Sequence, residues 1–352
     1  MNKQIIYFLL FSLTISIPRS IAQNPKKKSQ KKVSRLFKSQ AILPIKMSYS
    51  NSELRKKTND STYIESIISY KEKEVWKDVK VEIRARGNFR REKCYFVPVK
   101  VKIKKSNAKG TVFKSQKKLK LVVPCLQSRD MNDNVIKEFI AYKFYENISD
   151  LNFRTRLVDL SLSEKKRKRI KEHTVKGILI EDDKHVADRL RARIVKRAIH
   201  PLEQDDLTSL RNAFFQFMIG NVDFSIAKSH NAKLFYIDKK IYPIPYDFDM
   251  NGFIDPSYEV LSSAPKNSFI IDKITERKFR GYKRKAFLFE KVRQEFLTNK
   301  SFYMNTLKEY ETMFENKNEY SKAKNYIAEF FNILSNDTLY KRKIMNQMRG
   351  KK

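Results

Sequence analysis

Glycine is scarce in this 352-residue chain, which has only seven, and tryptophan occurs once, cysteine twice and histidine four times. With so few glycines there is no glycine-rich phosphate loop and no G-x-x-x-x-G-K-[ST] motif. Two cysteines and scattered histidines offer no zinc-ligand spacing. Beyond residue 22 no apolar run reaches the ~18 residues that a membrane span needs, and the residue after Ala22 is Gln23 where a lipid anchor would need a cysteine. There is no internal repeat, no helix-turn-helix and no RNA-binding aromatic signature. Acidic residues are the minority: 75 Lys and Arg face 39 Asp and Glu, a formal charge of +36. Such a field suits polyanions, whether nucleic acid, anionic envelope polymers and lipids, acidic proteins or nucleotide phosphates, and it is also what an ordinary lysine-rich surface looks like.

What is present begins with MNKQIIYFLLFSLTISIPRSIA, a lysine, an apolar stretch and a small-x-small end. This reads as a signal peptide over 1–22, which implies an exported protein, periplasmic or extracellular, with no transmembrane segment in its mature form. Residues 23–46 read as a basic, flexible lead-in and 341–352 as a basic, frayed tail. Export favours a disulfide between Cys94 and Cys125 over two buried thiols.

From about residue 62 the apolar period is two, as half-buried strands require: STYIESIISY, WKDVKVEIRARG, VPVKVKIKK and LKLVVP. NDNVIKEFIAYKFYENI then carries a helical apolar face. Two more strands, RLVDLSLS and TVKGILIED, flank the basic run EKKRKRIKEH, which reads as a hairpin tip in solvent. From Asp205 helices dominate, interrupted by the strands KLFYI and YPIP. The expectation is an α+β domain over 47–340, with a β-rich lobe at about 60–182, a helical lobe at about 183–340 and a ligand cleft between them.

Five of the seven glycines fall in compact polar motifs: RARGNFRR, KGILIED, IGNVDFSIAKSHN, DFDMNG and RKFRGY. DFDMNG invites an EF-hand reading, since Asp247, Asp249, Asn251 and Gly252 match positions 1, 3, 5 and 6 of that loop. The reading fails at position 12, which is Tyr258 where a bidentate Glu belongs, and upstream, where Pro243 and Pro245 favour a strand over the entering helix. Taken with its neighbour, the stretch instead runs Asp223, then Asn231, a hairpin, then Asp247 and Asp249. That order is the logic of phosphoryl transfer, in which one carboxylate orients or deprotonates the acceptor hydroxyl while Asn and a second Asp hold Mg²⁺.

In RARGNFRREKCYFVPVKVKIKK, KGILIED, GNVDFSIAKSHN and PIPYDFD the chain resembles the spore-coat protein H (CotH)-like atypical kinases over about residues 80–255, and more distantly the HipA-like kinases. The form is that of uncharacterised exported proteins of Bacteroidetes-type bacteria. The resemblance implies a two-lobed atypical protein-kinase-like fold that binds ATP with Mg²⁺ or Mn²⁺ and transfers phosphate to a hydroxyl, on a protein or envelope substrate. It assigns Asp223 as catalytic base, Asn231 and Asp247 as metal ligands, and Asp249 as a second metal ligand or support. The nucleotide would meet Arg86 and Asn88, a lysine at Lys100 or Lys102 with Glu138 as its ion-pair partner, and the main chain around Glu181. Tyr246 replaces the Trp of the family's turn and Phe89 a small polar residue, departures that leave open a catalytically inactive kinase-like or basic scaffold protein that binds polyanions. Separately, each of these polar residues could cap a turn or pair with a surface lysine.

Overall fold

Branched and aromatic residues alternating with lysine, serine and glutamate favour strands in the first half of the chain, and seven form there. They are β1 (Leu43–Tyr49), β2 (Ile64–Glu72), β3 (Val75–Ala85), β4 (Val99–Lys102), β5 (Lys118–Val122), β6 (Thr155–Lys165) and β7 (Ile170–Glu181). The computed structural model describes residues 33–87, 89–128, 131–257 and 271–350. The expected signal peptide at 1–22, the lead-in as far as 32 and Asn88 lie outside these described residues.

The strands close into a barrel in the order β1-β2-β3-β4-β5-β7-β6. The seam is the pairing of β1 with β6, parallel from Leu43 opposite Val158 to Tyr49 opposite Glu164; the other neighbours are antiparallel. Inward residues such as Ile45, Ile68, Ile83, Val99, Leu121 and Leu179 are fully buried and fill the interior, as a narrow barrel demands.

This closed barrel overturns the two-lobed kinase-like fold expected from the sequence. The physical reason is β1, whose LPIKMSY alternates buried and exposed side chains although most of it was assigned to the flexible lead-in. Its two edges pair with β2 and β6 and leave no open sheet. The same segment begins with a short helix, α1 (Arg35–Lys38), that buries Leu36 and Phe37. The tail departs from expectation too, because Arg349 pairs with Tyr282 and its N–H donates to the Gly281 carbonyl at 2.9 Å.

Three short helices decorate the barrel: α2 (Asn51–Lys57), α3 (Phe89–Lys93) and α4 (Lys105–Ala108). Between β5 and β6 runs α5 (Met131–Ile148), and after β7 come α6 (Asp183–Leu190), β8 (Arg193–Val195), α7 (Asp206–Met218), β9 (Ala232–Ile237) and β10 (Lys240–Pro245). The last three strands make a separate antiparallel sheet, ordered β10-β9-β8. Pro243 and Pro245 lie on its edge strand, where a missing ladder donor is tolerated. The chain ends in α8 (Ala286–Thr298), α9 (Lys300–Glu309), α10 (Lys317–Ser335) and α11 (Asp337–Lys343). Val122, Leu157, Ile178 and Ile180 on the outer barrel wall join α5, α7 and the C-terminal helices in a second core rich in phenylalanine.

The expected Cys94–Cys125 disulfide is present. It joins the loops after α3 and β5 across 31 residues, a cross-link of the kind that stabilises by about 3 kcal/mol. Nearby, fully buried Glu164 accepts hydrogen bonds from Asn51 Nδ2 at 2.9 Å and Tyr95 Oη at 2.5 Å and pairs with Lys166 at 3.0 Å and His173 at 3.1 Å. Burial alone would push its carboxyl up; the four partners outweigh it and hold the group down at about 2. A carboxyl depressed by folding contributes stability that is complete above its unfolded value of about 4.5 and is lost as pH falls toward 2. Glu164→Gln is therefore expected to lower the unfolding free energy by about 3 kcal/mol at neutral pH. In urea titrations the gap from the parent protein should close over that acidic range, and a gap independent of pH would show that Glu164 acts by packing alone.

Candidate functional site

The turn after β10 is clamped from several sides. Asp247 takes a left-handed conformation, φ 66°, and its N–H donates to Tyr142 Oη of α5 at 3.0 Å. Phe248 packs between the rings of Tyr142 and Phe215. Asn251 holds the turn from within, its Nδ2 donating to the Phe248 carbonyl and its Oδ1 accepting from Ile254 N. The N–H groups of Gly252 and Phe253 donate to the carbonyls of Gly220 and Ile219, which join this turn to the loop after α7. A Cβ at Gly220, which has φ +63°, or at Gly252 would strike the Tyr326 hydroxyl, so both glycines are required by the close approach. A strand leads into the turn, which agrees with setting aside the EF-hand.

The loop after α7 carries Asp223. Its N–H donates to buried Asn221 Oδ1 at 2.8 Å, a local Asx turn that aims the carboxylate. His230 Nε2 lies 2.9 Å from Asp223 Oδ1, and Asn231 Nδ2 donates to Asp223 Oδ2 at 3.1 Å and to its carbonyl at 2.7 Å. The His230 hydrogen bond is the main reason the Asp223 carboxyl is held below its usual range, against the effect of burial. Reciprocally, Asp223 pushes His230 above its usual 6.5, with Asp247 adding to the effect. The Tyr246 N–H donates to the Asn231 carbonyl at 3.1 Å and so sets this loop beside the Asp247 turn. Behind the loop a cavity of about 10 Å³, lined in part by Ser209, Asn212, Phe224 and Arg280, has room for little more than one water.

Deeper in, buried Asp249 lies 3.4 Å from Arg90 Nη1. Its carboxyl is pushed up to about 6, first by burial and then by Asp247, with Arg90 and Arg86 opposing. Buried Glu138 of α5 is also pushed well up, by burial and by Asp249, and its Oε1 has no hydrogen-bond partner among the described residues. The structure thus gathers Glu138, Asp247 and Asp249 beside Arg86 and Arg90, with Asp223 and Asn231 on the adjoining loop.

The other expected residues go elsewhere. Lys100 pairs with Asp182 at 2.9 Å and Lys102 with Glu82 at 2.8 Å, so neither has Glu138 as its partner. Glu181 is engaged by Arg189 at 2.9 and 3.1 Å and by His185 at 2.6 Å. Its N–H donates to the Arg154 carbonyl and it stands opposite Leu119 in the β5–β7 ladder. Sequence reasoning missed Lys120, a buried lysine opposite Lys100 on the outer barrel wall. It pairs with Asp183 at 2.6 Å and lies over the Tyr246 ring at 4.5 Å. Burial lowers its basicity, Asp183 opposes this, and the charge of Arg86 lowers it further. The signal was a single lysine inside the apolar run LKLVV.

Among the described residues no three Asp, Glu, His or Cys side chains group closely enough to hold a metal ion by themselves. No family model matches the chain, and no curated protein matches it.

The Asp223–His230 contact gives a direct check. His230 is raised, so its share of the ion pair is complete below about 6.5 and is lost as pH rises through the higher folded value; the Asp223 share is complete above 3.8 and is lost at more acidic pH. In an NMR titration the His230 ring should titrate above 6.5, and Asp223→Asn should return it toward the ordinary value. An unchanged midpoint would mean that the contact is absent in solution. Gly252→Ala should meanwhile destabilise the protein by about 2 kcal/mol or more in denaturant titrations, because the added methyl has no space.

Proposed function

We propose that this chain binds ATP with a divalent metal at the Asp247–Asp249 turn and transfers a phosphoryl group to a hydroxyl acceptor oriented by Asp223. The observation that carries the reading is the division of its carboxylates into two states. Asp223 is kept ionised by His230 and Asn231 at a half-exposed position, as a group that accepts or orients a hydroxyl proton must be. Asp249 and Glu138 are both buried and pushed toward protonation, Glu138 in part by the Asp249 charge, a concentration of negative charge that a divalent cation would relieve.

The residues fit such a group. Mg²⁺ is commonly held by one or two carboxylates together with substrate phosphates, and the turn offers Asp247 and Asp249 with the partnerless Glu138 Oε1 behind them. The Nδ2 of Asn231 is committed to Asp223, which leaves its Oδ1 as the atom for a metal. The metal would supply charge neutralisation for the transferring phosphoryl group. Arg86 and Arg90 border the same acidic cluster, and Lys100, Lys120 and Lys233 line the neighbouring wall through Asp182 and Asp183. These lysines are at present neutralised by aspartates, so phosphate binding must exchange one partner for another. The CotH-like resemblance supports the same chemistry through Asp223, Asn231, Asp247 and Asp249; the acceptor would be a protein or another hydroxyl-bearing envelope component.

The test is a thermal shift with ATP, with and without Mg²⁺ or Mn²⁺. Saturating metal-nucleotide should raise the melting temperature by roughly several degrees by mass action. Asp247→Ala should lose that shift, whereas Asp223→Ala should keep it and lose phosphoryl transfer. A shift of equal size in parent and Asp247→Ala, or one reproduced by any polyanion, would replace this reading with that of a basic scaffold.

A further inference from the structure

We propose that the tip of the β6–β7 hairpin is a membrane-docking finger that binds anionic lipid headgroups. The run Lys165 to Lys171 is KKRKRIK, and the chain reverses between Lys166 and Arg169, whose N–H and carbonyl pair at 2.9 Å. Lys166 is bound to Glu164, but the side chains of Lys165, Arg167, Lys168 and Arg169 are exposed and have no acidic partner among the described residues. Four uncompensated cations at one point are notable in a chain whose other basic groups so often find carboxylates.

The finger is stiff. β6 and β7 pair without interruption from Thr155 opposite Ile180 to Lys165 opposite Ile170, and their outer part is rooted in the buried Glu164 cluster next to the disulfide. Ile170, 62% exposed, stands among the cations as an apolar side chain with nothing of its own to cover it. Cations around an exposed aliphatic group suit the headgroup boundary of an anionic bilayer, where the charges meet phosphates and the isoleucine reaches the acyl edge.

Two features argue against nucleic acid as the occupant. The run Lys165 to Lys171 holds no aromatic residue, and the ring beside it, Tyr95, is committed, its hydroxyl donating to Glu164 and its face met by Lys166 and Lys171. The charge is also confined to the tip, because the next outward residue is exposed Glu172, which a ribbon laid along a groove would press against phosphates. The 12 residues of β7 separate the tip from Asp182 by roughly 35–40 Å, so the finger holds the protein to a surface without entering the candidate site.

Sedimentation with vesicles of phosphatidylcholine containing roughly one-third phosphatidylglycerol tests this. The whole protein should bind them and not pure phosphatidylcholine. Replacing Lys165, Arg167, Lys168 and Arg169 by Gln should weaken partitioning by on the order of a hundredfold, and Ile170→Ser by roughly tenfold. A control that removes the same charge from exposed Lys291, Lys308, Lys317 and Lys324 should lose less than about tenfold. The finger variant's melting curve and its response to metal-ATP should match the parent's, which separates this proposal from the nucleotide reading. Equal losses in the two quadruple variants would overturn the finger in favour of net charge. Tight finger-dependent binding to duplex DNA, with vesicle binding indifferent to Ile170→Ser, would overturn the membrane in favour of nucleic acid.

Discussion

Lys137 of α5 is buried to 1% exposure, and its ammonium is shared between the Ile254 carbonyl and Glu319 of α10. A charge so far from water is tolerable only with both partners in place, so the helix, the turn and the C-terminal bundle can pack in one arrangement. The same helix sends Tyr142 to the Asp247 N–H and Glu138 toward Asp249. Asp133 at its start accepts the N–H groups of Glu315 and Asn316. Buried against the barrel wall on one side and against aromatic residues on the other, α5 transmits the position of the barrel to the acidic turn. The left-handed backbone at Asp247 costs energy for a residue with a Cβ, and it persists because these contacts over-determine it.

Much of this was legible beforehand. The strands at 64–72, 75–85, 155–165 and 170–181, the helix at 131–148 and the hairpin at 232–245 follow from apolar period and turn chemistry, both local properties. The disulfide was expected on the separate ground of export, and the expected solvent tip EKKRKRIKEH shrinks in the structure to the turn at 166–169, with Glu164 fully buried and residues 170–173 inside β7. Barrel closure was not, because it rests on β1 and β6 meeting in parallel across more than a hundred intervening residues, and the basic composition around β1 hid a seven-residue alternation. At the site, the proximity of Asp223, Asn231 and Asp247 could be read from their order along the chain. The partners of the lysines could not: Lys100 meets Asp182 and Lys102 meets Glu82 through the register of β3, β4 and β5, which periodicity leaves undetermined.

The electrostatics are uneven in a way that bears on chemistry. Where a carboxylate meets basic partners it can be held down against burial, as at Asp183, held at about 2 by Lys120 and its neighbours. Asp249 and Glu138 are exceptions, pushed up despite two arginines at hand. Arginines that could neutralise them fully would close the site to any cation. Arg90 instead stands 3.4 Å from Asp249 while its Nη2 is tied to the Val123 carbonyl. The partial compensation leaves a negative centre inside a positive surround, the polarity suited to a small divalent ion accompanied by a polyphosphate.

Separation of that centre from the barrel's far end follows from the same architecture. The β6–β7 hairpin pairs without a break from Thr155 opposite Ile180, next to the Asp182 and Asp183 that hold Lys100 and Lys120, to Lys165 opposite Ile170 at its tip. Charge placed at the projecting end therefore cannot compete for a ligand held at the other, since the intervening distance exceeds several screening lengths at ordinary salt. With a net charge of +36, the proposed nucleotide site would have many other cations to compete with. On the two readings proposed, pairing Lys100 and Lys120 with Asp182 and Asp183, and leaving uncompensated cations at the remote tip, would keep nucleotide and lipid phosphates apart.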